Sequence, residues 1–180
     1  MLKKICAGAA VFTAIVMFAG TALGETYYID DGDITVSQDS TGRYVNGSAT
    51  AETGETVITQ HASGTATAYT VTVTSGEEGA VVEVTLKDVN IEAADAYTKG
   101  VQEHDGESAV TVNGSAEITF EGDNKLSGGA GLDVLGSGAG GSETGKGGAG
   151  IEVGDGDSLT LNAADEDATL TANGGNYAAG

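Results

Sequence analysis

The chain has 180 residues, 30 of them glycine, no proline, no tryptophan, one cysteine and a formal charge of −20. So acidic a surface disfavours nucleic acid and anionic membranes as partners and suits cations. With aromatics at 5%, the core has to be a thin one of Val, Ile, Leu and Ala, and with one cysteine no internal disulfide can reinforce it.

The first element is an export signal. Lys3 and Lys4 precede an apolar run at residues 5–19, and Ala22-Leu23-Gly24 supplies the small residues of a cleavage site. Residues 1–24 are thus expected to be a signal peptide with a helical apolar stretch, and residues 25–180 one mature domain. Cys6 falls inside the discarded segment. Loss of Lys3 and Lys4 leaves 27 acids facing 5 bases, a formal −22. The expected location is the medium or the cell surface, without stable membrane insertion after cleavage.

Beyond the signal, apolar residues alternate with polar ones at period two in short runs. These are Ile34-Thr35-Val36, Tyr69 to Val73, Val82 to Leu86, Val89-Asn90-Ile91, Ala109 to Val112 and Glu117 to Phe120, with Gly, Asn and Asp between them. The last runs repeat earlier ones. Val110 to Ile151, Val112 to Val153 and Ile118 to Leu159 each span 41 residues, and Leu126 to Leu170 spans 44. Short strands recurring in one order, with glycine at the corners, predict an all-β parallel β-helix, a solenoid. A four-stranded propeller blade is the rival at this period, and it ordinarily needs longer strands and large aromatics. The glycine-rich residues 136–150 read as a loop thrown out from one corner. Gly145-Lys146 lacks the following Ser or Thr of a phosphate-binding loop.

Several residues could carry chemistry. Asp30, Asp31 and Asp33 cluster near the mature N-terminus, and Asp155, Asp157, Asp165 and Asp167 sit at two later turns. Carboxylates held by turns are candidate calcium ligands, although one cluster supplies fewer than the six to eight oxygens calcium takes. Acidic turns are also common simply because Asp tolerates such corners. Tyr97 with Lys99, and Tyr44 with Arg43, are candidate sugar platforms, since tyrosine offers a flat apolar face and a polar tip. His61 and His104 are the only histidines. Neither belongs to a metal-like pair, and no nucleophile–base set stands out.

Tyr28-Ile29-Asp30-Asp31-Gly32-Asp33-Ile34-Thr35-Val36, the Asp88-Val89-Asn90-Ile91 step, the stretch from Ile118 to Leu126, and Ala149-Gly150-Ile151 with Leu159 to Gly175 carry a likeness. They resemble secreted carbohydrate-binding β-helix proteins of anaerobic Gram-positive bacteria. The resemblance implies a right-handed parallel β-helix, polysaccharide-lyase-like in shape, that carries calcium and binds acidic plant polysaccharide. Unlike members of that family, the sequence stops in mid-repeat at Ala178-Ala179-Gly180 and reads as a fragment.

The expectation is a secreted or cell-surface, non-catalytic protein that binds a polysaccharide, with calcium as its candidate cofactor. A passive adhesin-type solenoid with protein partners and a calcium-dependent polysaccharide lyase are the alternatives. A lyase requires Arg43 or a lysine to face a carboxylate-lined groove.

Overall fold

A computed structural model describes residues 24–62, 64–77, 79–96, 105–134 and 143–178. The signal helix expected over residues 1–24 lies almost wholly outside the described residues, as do Tyr97, Lys99, His104 and most of the glycine-rich insertion. The chain is all-β. Its strands are β1 (Glu25–Tyr28), β2 (Ile34–Asp39), β3 (Gly42–Val45), β4 (Thr56–Thr59), β5 (Val71–Ser75), β6 (Val81–Lys87), β7 (Asn90–Glu92) and β8 (Val110–Asn113). They continue with β9 (Ser115–Glu121), β10 (Asp123–Ser127), β11 (Gly131–Val134), β12 (Glu143–Thr144), β13 (Ile151–Val153), β14 (Ser158–Ala163), β15 (Thr169–Asn173) and β16 (Tyr177–Ala178). A 3-10 turn spans Ile29–Asp31, and among the described residues no helix is long and apolar enough to cross a membrane.

Four sheets result, in the orders β1-β4-β6-β9-β14, β13-β8-β5-β2-β3, β15-β10-β7 and β12-β11-β16. The first and third are parallel throughout. The other two are mixed, because β3 and β12 turn back antiparallel on β2 and β11. The parallel registers put like residues side by side. Val36, Val73, Val112 and Val153 form one row, and Ile34, Val71, Val110 and Ile151 the next. Val84, Ile118 and Leu161 line up in the first sheet, and Ile91, Leu126 and Ala172 in the third.

The period-two runs face these rows inward, giving a core cluster of Val, Ile, Leu and Ala with Phe120 as its sole large aromatic. Each fully buried aliphatic side chain contributes about 1.5–3 kcal/mol. Burying a polar group without a partner costs a comparable amount, so the interior amides are tied. The Asn124 side-chain oxygen accepts the Val89 main-chain N–H at 3.1 Å, and its nitrogen donates to the Glu121 carbonyl at 3.1 Å. Gln60 accepts the Asn90 N–H at 2.7 Å and donates to the Ala62 carbonyl at 2.6 Å.

The observed register corrects part of the repeat count. Ile118 pairs with Leu161 rather than Leu159, and Leu126 with Ala172 rather than Leu170. The cause is the connection Gly154–Asp157, which is two residues longer than its counterpart Asn113–Gly114 between the paired residues Val112 and Ser115. A shift of two residues keeps every side chain on the same face, so alternation alone cannot detect it.

At one corner two columns of backbone meet without side chains between them. The Gly175 N–H donates to the Gly148 carbonyl at 2.7 Å, Gly148 to Gly129 at 2.8 Å, Gly129 to Glu107 at 2.8 Å, and Glu107 to Ala94 at 3.0 Å. A Cβ on Gly129, Gly148 or Gly175 would overlap the carbonyl of Ala94, Glu107 or Gly129 respectively.

Replacing Asn124, which is 1% exposed, by Ala strands the buried Val89 N–H, while the Glu121 carbonyl keeps only the Asp88 N–H at 3.1 Å. The expected loss in urea unfolding is about 2–3 kcal/mol. A loss below about 0.5 kcal/mol would mean that these corner groups find other partners.

Candidate functional site

Polar side chains alternate with the core rows and form rows of their own on the outer face of the first sheet. Glu83, Glu117 and Thr160 make one, and Thr85, Thr119 and Asn162 the other. Neighbouring strands lie about 4.8 Å apart, so each row is a ladder of oxygen and amide groups at that spacing. The face is hydrogen-bonded across strands. Asn162 donates to Glu117 at 2.7 Å, Thr85 donates to Glu55, and Lys87 is paired with Glu121. Like-charged neighbours such as Glu83 and Glu117 are unfavourable beside each other, and the bond from Asn162 to Glu117 offsets part of that cost.

A cavity of about 540 Å³ opens on this face, lined by Arg43, Glu55, Glu83, Glu117 and Thr119 among others. Arg43 reaches it from β3. Its guanidinium donates to the Glu83 carbonyl at 3.1 Å and to the Gly54 carbonyl, while its buried Nε has no partner. Three carboxylates, one guanidinium and threonine hydroxyls make a groove rich in acceptors, with donors at one end. The sequence singled out Arg43 but not Glu55, Glu83 or Glu117. Isolated glutamates on alternating strands carry no motif, and only the pairing of β6 with β9 brings two of them together.

Tyr44 does not join this groove. Adjacent strand residues face opposite sides, and its hydroxyl lies 2.7 Å from that of Thr41. Tyr97 and Lys99 lie outside the described residues. Asp155 and Asp157 flank the turn before β14, while Asp165 and Asp167 follow it, with the Asp167 N–H donating to the Asp165 carboxylate at 2.9 Å. About 17 Å of strand separates the two clusters, too far for a shared ion.

Among the described residues, one place brings three acid or histidine ligand atoms within 4.8 Å of one another: Asp30, Asp31 and His61. Asp31 lies 3.3 Å from the His61 ring nitrogen, and the ring stacks on Tyr28 with centroids 3.7 Å apart. The Asp30 carboxylate accepts the His61 main-chain N–H at 3.1 and 3.0 Å. Desolvation opposes ionisation of Asp30, but the N–H groups of His61, Asp30 and Ala62 outweigh it, and its carboxyl titrates below its ordinary value. Tyr27 moves the other way. Desolvation and its hydrogen bonds to Glu52 and Glu25 hold the phenol above its ordinary range, so it stays neutral. In the sequence Asp30 and Asp31 cluster with Asp33, and His61 belongs to no metal-like pair. The pairing of β1 with β4 is what joins them.

No protein-family model, curated protein or solved structure matches the chain.

A carboxyl depressed on folding stabilises the protein above its unfolded value, near pH 4, and that contribution disappears as pH falls through the folded value. Asp30→Asn is therefore expected to lower the urea midpoint at neutral pH, with the gap to wild type closing as the pH falls below that of Asp30. Urea titrations at neutral and acidic pH check this. A gap that persists unchanged in acid would show that the carboxylate charge is not what matters.

Proposed function

We propose that this chain is an exported right-handed parallel β-helix that binds a polysaccharide without cleaving it. The fold part of the reading is supported by the ladders. Strands far apart in sequence pair in parallel, in one order, in three sheets, where a propeller blade would pair neighbouring strands antiparallel. The functional part rests on one observation, the groove of Arg43, Glu55, Glu83, Glu117 and Thr119 on a face of regularly spaced polar rows. A glycan chain presents hydroxyls at regular intervals, each a donor and an acceptor. Carboxylates take the donated protons, and Asn162 and the threonines complete the set.

The charge of the groove refines the ligand. Glu55, Glu83 and Glu117 repel an acidic polysaccharide, so a neutral or amino-bearing glycan fits the bare groove, and an acidic one requires calcium as a bridge. Calcium thus remains a proposal tied to acidic ligands.

Arg43 does face a carboxylate-lined groove, the condition a lyase requires, and this observation keeps catalysis as the second reading. The arrangement favours binding. A guanidinium offers donors and no acceptor, and here it is engaged by two main-chain carbonyls.

The test is a glycan array followed by calorimetry on the purified protein, with and without EDTA, against neutral, amino and acidic polysaccharides. Binding of a neutral or amino glycan that survives EDTA is expected. Glu117→Gln should weaken it at least about tenfold, the loss of a hydrogen bond to a charged group. No binding to any glycan would contradict the proposal, and unsaturated products absorbing in the ultraviolet would establish the lyase instead.

A further inference from the structure

The turn after β1 and the segment after β4 place an imidazole against two carboxylates. Asp30 and Asp31 belong to the 3-10 turn that follows β1, and His61 lies two residues beyond the end of β4. Parallel pairing of these strands brings the two segments side by side. One ligand atom from each of the three residues falls within 4.8 Å of the others. Asp33, the third acid of this stretch, is committed elsewhere, since its carboxylate accepts the Thr70 main-chain N–H at 2.7 Å.

Two features separate this place from the acidic turns at Asp155, Asp157, Asp165 and Asp167. The first is its nitrogen ligand and how that ligand is held. The His61 ring stacks on Tyr28 with a 9° angle between the planes, and its Nε2 edge faces the Asp31 carboxylate rather than open solvent. The second is the spacing. Nε2 and the Asp31 oxygen are 3.3 Å apart. An N–H···O bond ordinarily spans about 2.7–3.2 Å, and a charged one is shorter. Around a tetrahedral zinc ion with bonds of about 2.0–2.1 Å, neighbouring ligand atoms lie about 3.3 Å apart. The pair thus stands wider than a hydrogen bond and at the edge length of a zinc site. Asp30 adds a third ligand. Its two oxygens accept the His61 main-chain N–H, and a carboxylate has lone pairs beyond those.

We propose that Asp30, Asp31 and His61 bind a divalent transition-metal ion of the zinc type. Imidazole with carboxylate selects such ions, whereas calcium takes six to eight oxygens and gains nothing from a ring nitrogen. Three protein ligands leave one tetrahedral position for water. A cavity of about 400 Å³ bordered by Tyr28 and Asp31 gives that water room. The ion relieves the repulsion of two adjacent carboxylates and ties together segments thirty residues apart, so it stabilises the folded chain. The site shares no residue with the groove around Arg43, and the inference is independent of the glycan reading.

Zinc chloride titrated into the purified full chain, stripped with EDTA and dialysed, tests this by calorimetry and by imidazole NMR, which has two histidines to resolve. One equivalent is expected to bind, moving the His61 ring signals and leaving those of His104, and calcium chloride at the same concentration should do neither. His61→Ala and Asp31→Asn should each weaken zinc binding at least about tenfold, while His104→Ala leaves it unchanged. Zinc should also raise the melting temperature of the wild type and leave that of Asp31→Asn where it was. The Asp31 side chain is 70% exposed, so this variant keeps the fold and decides the matter if His61→Ala does not. Zinc that moves neither ring or that of His104 alone, that fills only a series of weak carboxylate sites, that is matched by calcium, or that binds Asp31→Asn as tightly as the wild type would each overturn the proposal.

Discussion

The hydrogen bonds that run Gly175, Gly148, Gly129, Glu107, Ala94 are the constraint on which the parallel ladders depend. They join the backbone leaving β7, β10 and β15 to the backbone entering β8 and β13. Each N–H in the series reaches the carbonyl of the facing column, which demands that the columns approach closer than a Cβ allows. That approach draws the second and third sheets together along one seam. The core between the sheets can then be thin, and a thin core is all that a chain with few aromatics can fill. Glycine costs more chain entropy on folding than any other residue. The main-chain hydrogen bonds and the aliphatic rows they align offset that cost.

From the same spacing comes the functional face. Once the strands are held in parallel register, every inward aliphatic row has an outward polar row beside it, at the same interval. Thr85, Thr119 and Asn162 are a row because Leu86 and Phe120, and Val84 and Ile118, are rows. The groove with Arg43 and its three glutamates is thus a consequence of core register, with β3 folding back to supply the one guanidinium.

Much of this was readable in the residues. Period-two alternation marked most of the longer strands, and the scarcity of aromatics foretold an aliphatic core. The step from Val110 to Ile151 is the pairing observed. What could not be read were features that depend on turns and on distant pairing. The extra residues at Gly154–Asp157 moved later pairings by two without disturbing the pattern of faces. Asp31 and His61, thirty residues apart, meet only because β1 pairs with β4. Glycine was expected at the corners of the repeat, but what fixes it at Gly129 and Gly175 is the closeness of another backbone. Arg43 and Tyr44 were joined as a platform, but a strand sends neighbours to opposite sides.

The most direct test of the account compares two glycines in thermal unfolding. Gly148 faces the Glu107 carbonyl at a separation no Cβ can share, whereas Gly174 has only an ordinary contact at 3.8 Å with the Gly148 carbonyl. Gly148→Ala is expected to cost about 3 kcal/mol or more, lowering the melting temperature by about 10 °C. Gly174→Ala should stay within about 2 °C of wild type. Equal melting temperatures for the two variants would contradict the claim that close backbone approach at this corner holds the fold together.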